Sequence, residues 1–332
     1  MAYLEAEHLS KRYPMRGSKG KQFVQAVDDV SFSIEPGEVL GVIGESGCGK
    51  STLGRMLIGL EDITSGTVTY GGQSLTDLMK KDRKGFRRTA QMVFQNPFDT
   101  FPPGETMQNI LLRVMKIHRI GANKEERLRK CEQLLEEAGL KPAKDFLKRY
   151  SHELSGGQLQ RLSIVRSMML SPKFIVADEP VSMLDVSVRA DIIHMLQEIT
   201  KKNDTALVFI SHDLATTRFI SDRIVVMYLG QVVESGQTDQ VLHHPHHPYT
   251  KALLSYCANI DPTQKKEQIP VPGEAAAAEG ERKGCYFAPR CYMAEDRCFR
   301  ERPKMQEVEP GHCAACNLIR RDPLAGGSLM SQ

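Results

Sequence analysis

Tryptophan is missing from this 332-residue chain, and tyrosine and phenylalanine supply only 9 and 12 residues. No stretch approaches the roughly 18 to 20 consecutive apolar residues of a bilayer span, so the chain is not expected to cross a membrane by itself. Neither sign of charge dominates. The 44 basic and 41 acidic residues leave a net +3, too near balance to name nucleic acid or an anionic membrane surface as partner. The opening MAYLEAEHLSKRYP has neither the basic start nor the apolar core of a secretory leader, which points to the cytosol and away from disulfides. What is present, 41% hydrophobic and 26% charged residues, is the composition of an ordinary globular protein, and the length allows roughly two or three units.

The chain reads as an α/β protein. Up to about Gly59 it is strand-rich: the alternating VQAVDDVSFSIE, the apolar VLGVIG, then a glycine loop running into the helical KSTLGRMLIGL. Residues near 66 to 95 look like further strands around Lys80 to Arg88, which holds six basic residues and one acid and reads as a solvated charged helix or loop. From about 104 to 171 the pattern turns helical. Asn123 followed by Glu126 resembles a capping box, and Leu128, Cys131, Leu135 and Ala138 recur at helical spacing. Residues 173 to 235 return to apolar strands, FIVAD, ALVFIS and IVVMYLG, with a helix expected over Val186 to Lys201, the pattern of a parallel sheet. After about Pro262 the composition shifts to a linker, TQKKEQIPVPGEAAAAEGERKG, followed by a cysteine-bearing end.

GESGCGKST fits G-x-x-x-x-G-K-[ST] between an apolar strand and a helix, the context that makes it a phosphate-binding loop. Gly44, Glu45, Ser46, Gly47, Cys48 and Gly49 would wrap backbone amides around the phosphates of ATP or GTP, and Lys50 would neutralise them. Ser51 would ligate Mg²⁺, with Thr52 opening the helix. In FIVADEP, Asp178 and Glu179 end an apolar strand at the carboxyl edge of a sheet, where ligands bind. Asp178 suits the Mg²⁺ shell and Glu179 the polarisation of an attacking water. His212 in FISHD and Gln95 after TAQMVF reach the same edge, Gln95 as a second Mg²⁺ ligand or water-orienting group. LSGGQ sets Ser155, Gly156, Gly157 and Gln158 at the mouth of another helix, a second anion site. One nucleotide has no use for two such helices unless two subunits pair head to tail, each closing over the nucleotide of the other.

Taken together, GESGCGKST, FQNP, LSGGQLQR, VADEP, SMLD and ISHD stand in the order and spacing of the ATP-binding cassette (ABC) ATPases. The longer strings RYSHELSGGQLQR, VADEPVSMLDVSV, HPYTKALL and an end running into EVEPGH resemble the ATPase subunits of dipeptide and oligopeptide importers. The resemblance implies an ABC-type fold: a parallel-sheet core, an N-terminal antiparallel β subdomain and a helical signature-motif subdomain. The nucleotide-binding domain would cover residues 1–260, with the helical part at about 104–171, and a regulatory or structural appendix would occupy 261–332. It further implies Tyr13 stacked on adenine, Gln95 in the Q-loop, Glu179 as catalytic base, Asp185 as the D-loop acid and His212 as the switch histidine. The expected partners are two membrane permease subunits, a second and paralogous ATPase, and an extracytoplasmic solute-binding protein, on the cytoplasmic face of the membrane and without nucleic acid. A soluble ABC ATPase acting on nucleic acid or the ribosome is the rival, and nickel or glutathione importers use similar subunits. Departures are Leu159 where a polar residue is usual, Met183 where the D-loop is usually small, and FDTFPPGETM after FQNP.

Five of the eight cysteines lie at or beyond residue 285, spaced Cys285-x5-Cys291-x6-Cys298 and then Cys313 and Cys316. Spacing alone leaves zinc and an iron–sulfur cluster open. The resemblance favours a 4Fe-4S cluster on Cys285, Cys291, Cys298 and Cys316, with Cys313 spare and zinc as the alternative. The run HHPHHP, His243 to Pro248, is not expected to bind metal, because prolines interrupt any regular ligand face.

Overall fold

A computed structural model describes residues 2–15, 23–256, 268–273 and 283–319. The chain opens with strands β1 (Leu4–Pro14), β2 (Phe23–Ile34) and β3 (Val39–Ile43), then helix α1 (Lys50–Leu57), β4 (Ser65–Tyr70), β5 (Gln73–Ser74), α2 (Leu75–Thr89) and β6 (Ala90–Val93). The helical region holds α3 (Met107–Ile117), α4 (Lys124–Glu137), α5 (Ala143–Lys148) and α6 (Gly156–Met168). There follow β7 (Phe174–Asp178), α7 (Val186–Asn203), β8 (Ala206–Ser211), α8 (Leu214–Ile220), β9 (Arg223–Tyr228), β10 (Gln231–Gln237), α9 (Thr238–His243) and α10 (Pro248–Ser255). A hairpin of β11 (Gln306–Glu309) and β12 (His312–Ala314) lies near the end.

Two sheets organise these elements. The smaller is antiparallel, in the order β2-β1-β4-β5. The larger is eight-stranded, β11-β12-β10-β9-β3-β8-β7-β6, and parallel from β9 through β6. Every residue of β3, β7 and β8 is buried, as expected of parallel strands covered by helices on both faces, which is why these segments read as continuous apolar runs. Their carboxyl ends, Ile43, Asp178 and Ser211, emerge along one edge, and the loops beyond them carry the phosphate loop, Glu179 and His212.

The helical region has its own core, including Leu111, Leu135, Leu159 and Leu162. Asn123 caps α4, its side-chain oxygen accepting from the Glu126 amide at 2.8 Å, but Glu126 reaches back to the Ala122 amide, at 2.7 Å, so the expected box closes one residue early. The basic stretch falls on α2, where Phe86 is buried, Arg87 donates to the carbonyls of Ile58 and Gly59, and most of the other charges face water. That is the solvated charged helix of the sequence reading.

The expected boundary at 260/261 and most of the linker beyond it lie outside the described residues. The cysteine-bearing end is joined to the core by strand pairing and by buried polar contacts. Strand β12 extends the large sheet by pairing with β10 at Glu234 and Ser235. The buried Asp28 of β2 accepts hydrogen bonds from Tyr286 and Gln231, at 2.9 and 2.8 Å, and pairs with Arg302 at 3.1 Å. Among the described residues no helix is long and apolar enough to cross a membrane.

Candidate functional site

The loop between β3 and α1 is held by glycines where other residues do not fit. A Cβ on Gly49 would lie 2.0 Å from the Ala26 carbonyl oxygen, and one on Gly44 would lie 2.2 Å from that of Met227, both at positive φ. Lys50, buried, donates to the carbonyls of Gly44 and Glu45 at 2.8 and 2.9 Å, so its ammonium is tied into its own loop. Burial raises the Cys48 thiol above its ordinary pKa despite the Lys50 ammonium beside it, so Cys48 is a small packed side chain and not an activated nucleophile. The loop opens onto a cavity of about 460 Å³ whose lining includes Ser46, Gly47, Gly49, Lys50, Ser51 and Thr52. Gln95, Glu179 and His212 line it as well.

Three polar contacts are made by residues that line this cavity. Ser51 Oγ donates to Asp178 Oδ1 at 2.8 Å, and burial pushes the Asp178 carboxyl up while that hydroxyl pulls it down. Gln95 Nε2 donates to Glu179 Oε2 at 3.0 Å, and His212 Nδ1 stands 3.2 Å from Glu179 Oε1. Both carboxylate oxygens of Glu179 are therefore addressed by cavity side chains. Glu179 also sits at φ 45°, uncommon for a residue with a side chain, and is fixed there by its amide donating to the Ile210 carbonyl and by Ser182 donating to its own carbonyl. Strain held in place by surrounding hydrogen bonds is a mark of functional positions.

The remaining expected residues are placed elsewhere. Tyr13 lies on β1 opposite Val24, which lines the cavity; Tyr13 itself is not among the lining residues and has the Lys11 ammonium 4.9 Å from its ring centre. Ser155 caps α6 through a reciprocal pair, its hydroxyl accepting from the Gln158 amide and its own amide donating to the Gln158 side chain. A Cβ on Gly157 would come within 2.7 Å of Val188 in α7, so that glycine also permits helix packing. Asp185, exposed, precedes α7 between Met183 and Val186, two apolar side chains that are 62% and 80% exposed. Neither Ser155 nor Asp185 is among the residues lining the cavity of their own subunit. Leu159 is fully buried in the helical core, which accounts for an apolar residue where a polar one is usual.

The sequence reading missed Arg290 and Tyr249. The Arg290 guanidinium pairs with Glu45 of the phosphate loop at 2.9 Å, and the Tyr249 hydroxyl accepts from the Glu45 amide at 2.9 Å. No motif spacing links position 290 to position 45, and only the fold brings them together. Cys285, Cys291, Cys298 and Cys316 line one small cavity of about 10 Å³, and burial pushes Cys285 and Cys291 each up to about 11, with the neighbouring thiols adding to the rise. Cys313 is on β12 opposite Ser235, away from this cavity.

Residues 27–182 match the family described as ABC transporter, and residues 233–298 match the oligopeptide/dipeptide transporter C-terminal region. The chain is 46% identical over 302 residues to a putative oligopeptide transport ATP-binding protein, YkfD, of Bacillus subtilis, covering 90% of this chain and 91% of that one. It is 41% identical over 315 residues to the dipeptide transport ATP-binding protein DppF of Haemophilus influenzae, covering 94% and 95%. The fold is similar to the dimeric post-hydrolysis structure of the ATP-binding cassette MJ0796 bound to ADP and phosphate, with TM-score 0.63 and 28% identity, covering 71% of this chain and 98% of that one.

Proposed function

The chain belongs to the ATP-binding subunits of ABC transporters and is an ATPase of that family; from that premise we propose that it is the motor of an importer of di- and oligopeptides, peripheral to the cytoplasmic face of the membrane. The observation that carries the proposal is the meeting of Lys50, Ser51 (itself bonded to Asp178) and the Gln95–Glu179–His212 group on one cavity, in a chain whose relatives are named for peptide transport.

In hydrolysis, Lys50 exchanges its two carbonyl partners for the β- and γ-phosphates, a short reach for an ammonium already at the loop. Glu179 accepts a proton from water as the water oxygen bonds to the γ-phosphorus and the bond to the bridging oxygen of ADP breaks. Gln95 and His212 hold the carboxylate in place. Ser51, Asp178 and Gln95 offer hard oxygen donors suited to Mg²⁺, which when bound neutralises phosphate charge. Ser155 and Asp185 stand away from the cavity of their own subunit, which supports their acting on the nucleotide of a second, paralogous ATPase, and Tyr13 would meet adenine as that interface closes. Exposed Met183 and Val186 beside Asp185, and Phe98 after the Q-loop, supply apolar surface for the second ATPase and the two permease subunits. An extracytoplasmic binding protein would deliver the peptide.

On Cys285, Cys291, Cys298 and Cys316, the four thiols that line one cavity, we favour a 4Fe-4S cluster, with zinc as the alternative, because of the resemblance to the peptide-importer ATPases. Such a cluster would tie together a small end with little core of its own. An affinity tag on the chain should retain integral membrane proteins from a detergent extract, with ATP turnover stimulated by peptide-loaded binding protein. Retention of ribosomes or nucleic acid without membrane protein would overturn the reading.

A further inference from the structure

We propose that His246, Glu309 and His312 form a binding site for a divalent transition-metal ion of the zinc class, clamping the β11–β12 hairpin to the segment that precedes α10. The site is separate from the nucleotide cavity and from the four-cysteine cavity, and it does not depend on what the transporter carries.

The His312 side chain is completely buried, with Nε2 2.8 Å from Glu234 Oε1, and Glu234 is buried too. Glu234 also accepts the backbone amides of His246 at 2.6 Å and His247 at 3.0 Å, so its carboxylate is a fixed acceptor. That places the imidazole proton on Nε2 and leaves Nδ1 with a lone pair. A carboxylate behind a histidine, setting its tautomer and orientation, is the usual support of a metal-ligating imidazole.

Nδ1 of His312 is buried and has no hydrogen-bond partner, and the same holds for Nε2 of His246. A native structure ordinarily gives such buried atoms a partner. Both point toward one group. Glu309 Oε1 is 3.4 Å from His246 Nε2, and Glu309 Oε2 is 4.0 Å from His312 Nδ1, with the two imidazole rings edge to face at 4.9 Å. The three ligand atoms lie within 4.8 Å of one another. Ligands about 2.0 to 2.2 Å from a tetrahedral ion stand roughly 3.3 to 3.6 Å apart, so a small contraction closes the site.

Local backbone serves the same geometry. Pro310 and Gly311, the latter at φ 73°, turn the hairpin so that Glu309 and His312 come round to one side. Gly236 on the neighbouring strand leaves room for the ring, since a Cβ there would be 3.2 Å from His312. Two imidazoles and one carboxylate favour a borderline ion over Mg²⁺ or Ca²⁺ and leave a further position for water. Glu309 is 39% exposed, which gives the ion a way in. The histidine run at 243 to 248 thus contributes a single ligand, His246, and the other two come from EVEPGH.

The test is zinc titration of the full chain, purified anaerobically with its cysteine end intact, followed by zinc-edge X-ray absorption. The expected result is about one zinc per chain on nitrogen and oxygen donors without sulfur, with affinity lowered at least about tenfold by His246→Ala and by Glu309→Gln. Both positions are partly exposed, so these variants avoid the folding risk of replacing His312. Zinc should also raise the melting temperature of the unaltered chain more than that of Glu309→Gln. Zinc binding unchanged in both variants, or sulfur in the absorption spectrum of the bound zinc, would overturn the proposal.

Discussion

Replacing Glu179 by glutamine separates its chemistry from its shape. The side chain is 17% exposed and receives Gln95 Nε2 on one oxygen at 3.0 Å, with His212 Nδ1 3.2 Å from the other. An amide keeps one oxygen for Gln95 and turns its NH₂ toward His212 Nδ1, which accepts it when the ring proton sits on Nε2. Folding stability should therefore change by less than about 1 kcal/mol. ATP affinity should stay within a few-fold, because Lys50, Ser51 and the loop amides are untouched. Turnover is different. The amide cannot take the proton of the attacking water, and loss of a general base typically costs about 10²- to 10⁴-fold, or about 3 to 5 kcal/mol in the barrier. The assay is single-turnover phosphate release on the complex with its partner ATPase, beside nucleotide binding measured separately. Turnover within about threefold of the unaltered protein would refute Glu179 as the base; loss of ATP binding instead would make it a nucleotide-holding residue.

Three further outcomes are expected, the first from the proposed cluster and the others from packing. Anaerobically purified protein should contain about four iron and four sulfide per chain; Cys316→Ser should lose them and Cys313→Ser should not, as read by iron analysis and visible absorption. Gly157→Ala should cost roughly 1 to 3 kcal/mol by thermal melting, and Val188→Ala should restore most of it, because the added methyl would meet the Val188 side chain at 2.7 Å. Leu159→Gln, which brings back the usual polar residue, should destabilise the helical region by about 2 to 4 kcal/mol by burying an amide among leucines, with denaturant unfolding as the measure.

The parts of the molecule legible in the sequence are those in which neighbouring residues carry the signal. Strands β3, β7 and β8 are apolar runs because both of their faces are covered, and the phosphate loop declares itself through glycines that the packing of Ala26 and Met227 requires. Gln95, Glu179 and His212 were found because each follows a strand that ends at the same edge. The less legible parts depend on long-range closure. Arg290 reaches Glu45 only because the cysteine-bearing end folds back over the phosphate loop. Glu309 and His312 meet His246 only because β12 pairs with β10. Leu159 looked anomalous as a member of the signature motif, since a helix-start pattern does not reveal which side of the helix faces the core.

The central claim is that ATP hydrolysis on this chain drives peptides across a membrane. The most direct measurement reconstitutes the complex of this chain, its partner ATPase and the permeases into vesicles, with ATP on the side of the ATPase subunits and binding protein plus labelled peptides of graded length on the other. The account predicts peptide uptake that requires ATP and is abolished when Glu179→Gln replaces the native chain. Uptake that proceeds without ATP, or ATP turnover with no uptake of any peptide in the series, would contradict it.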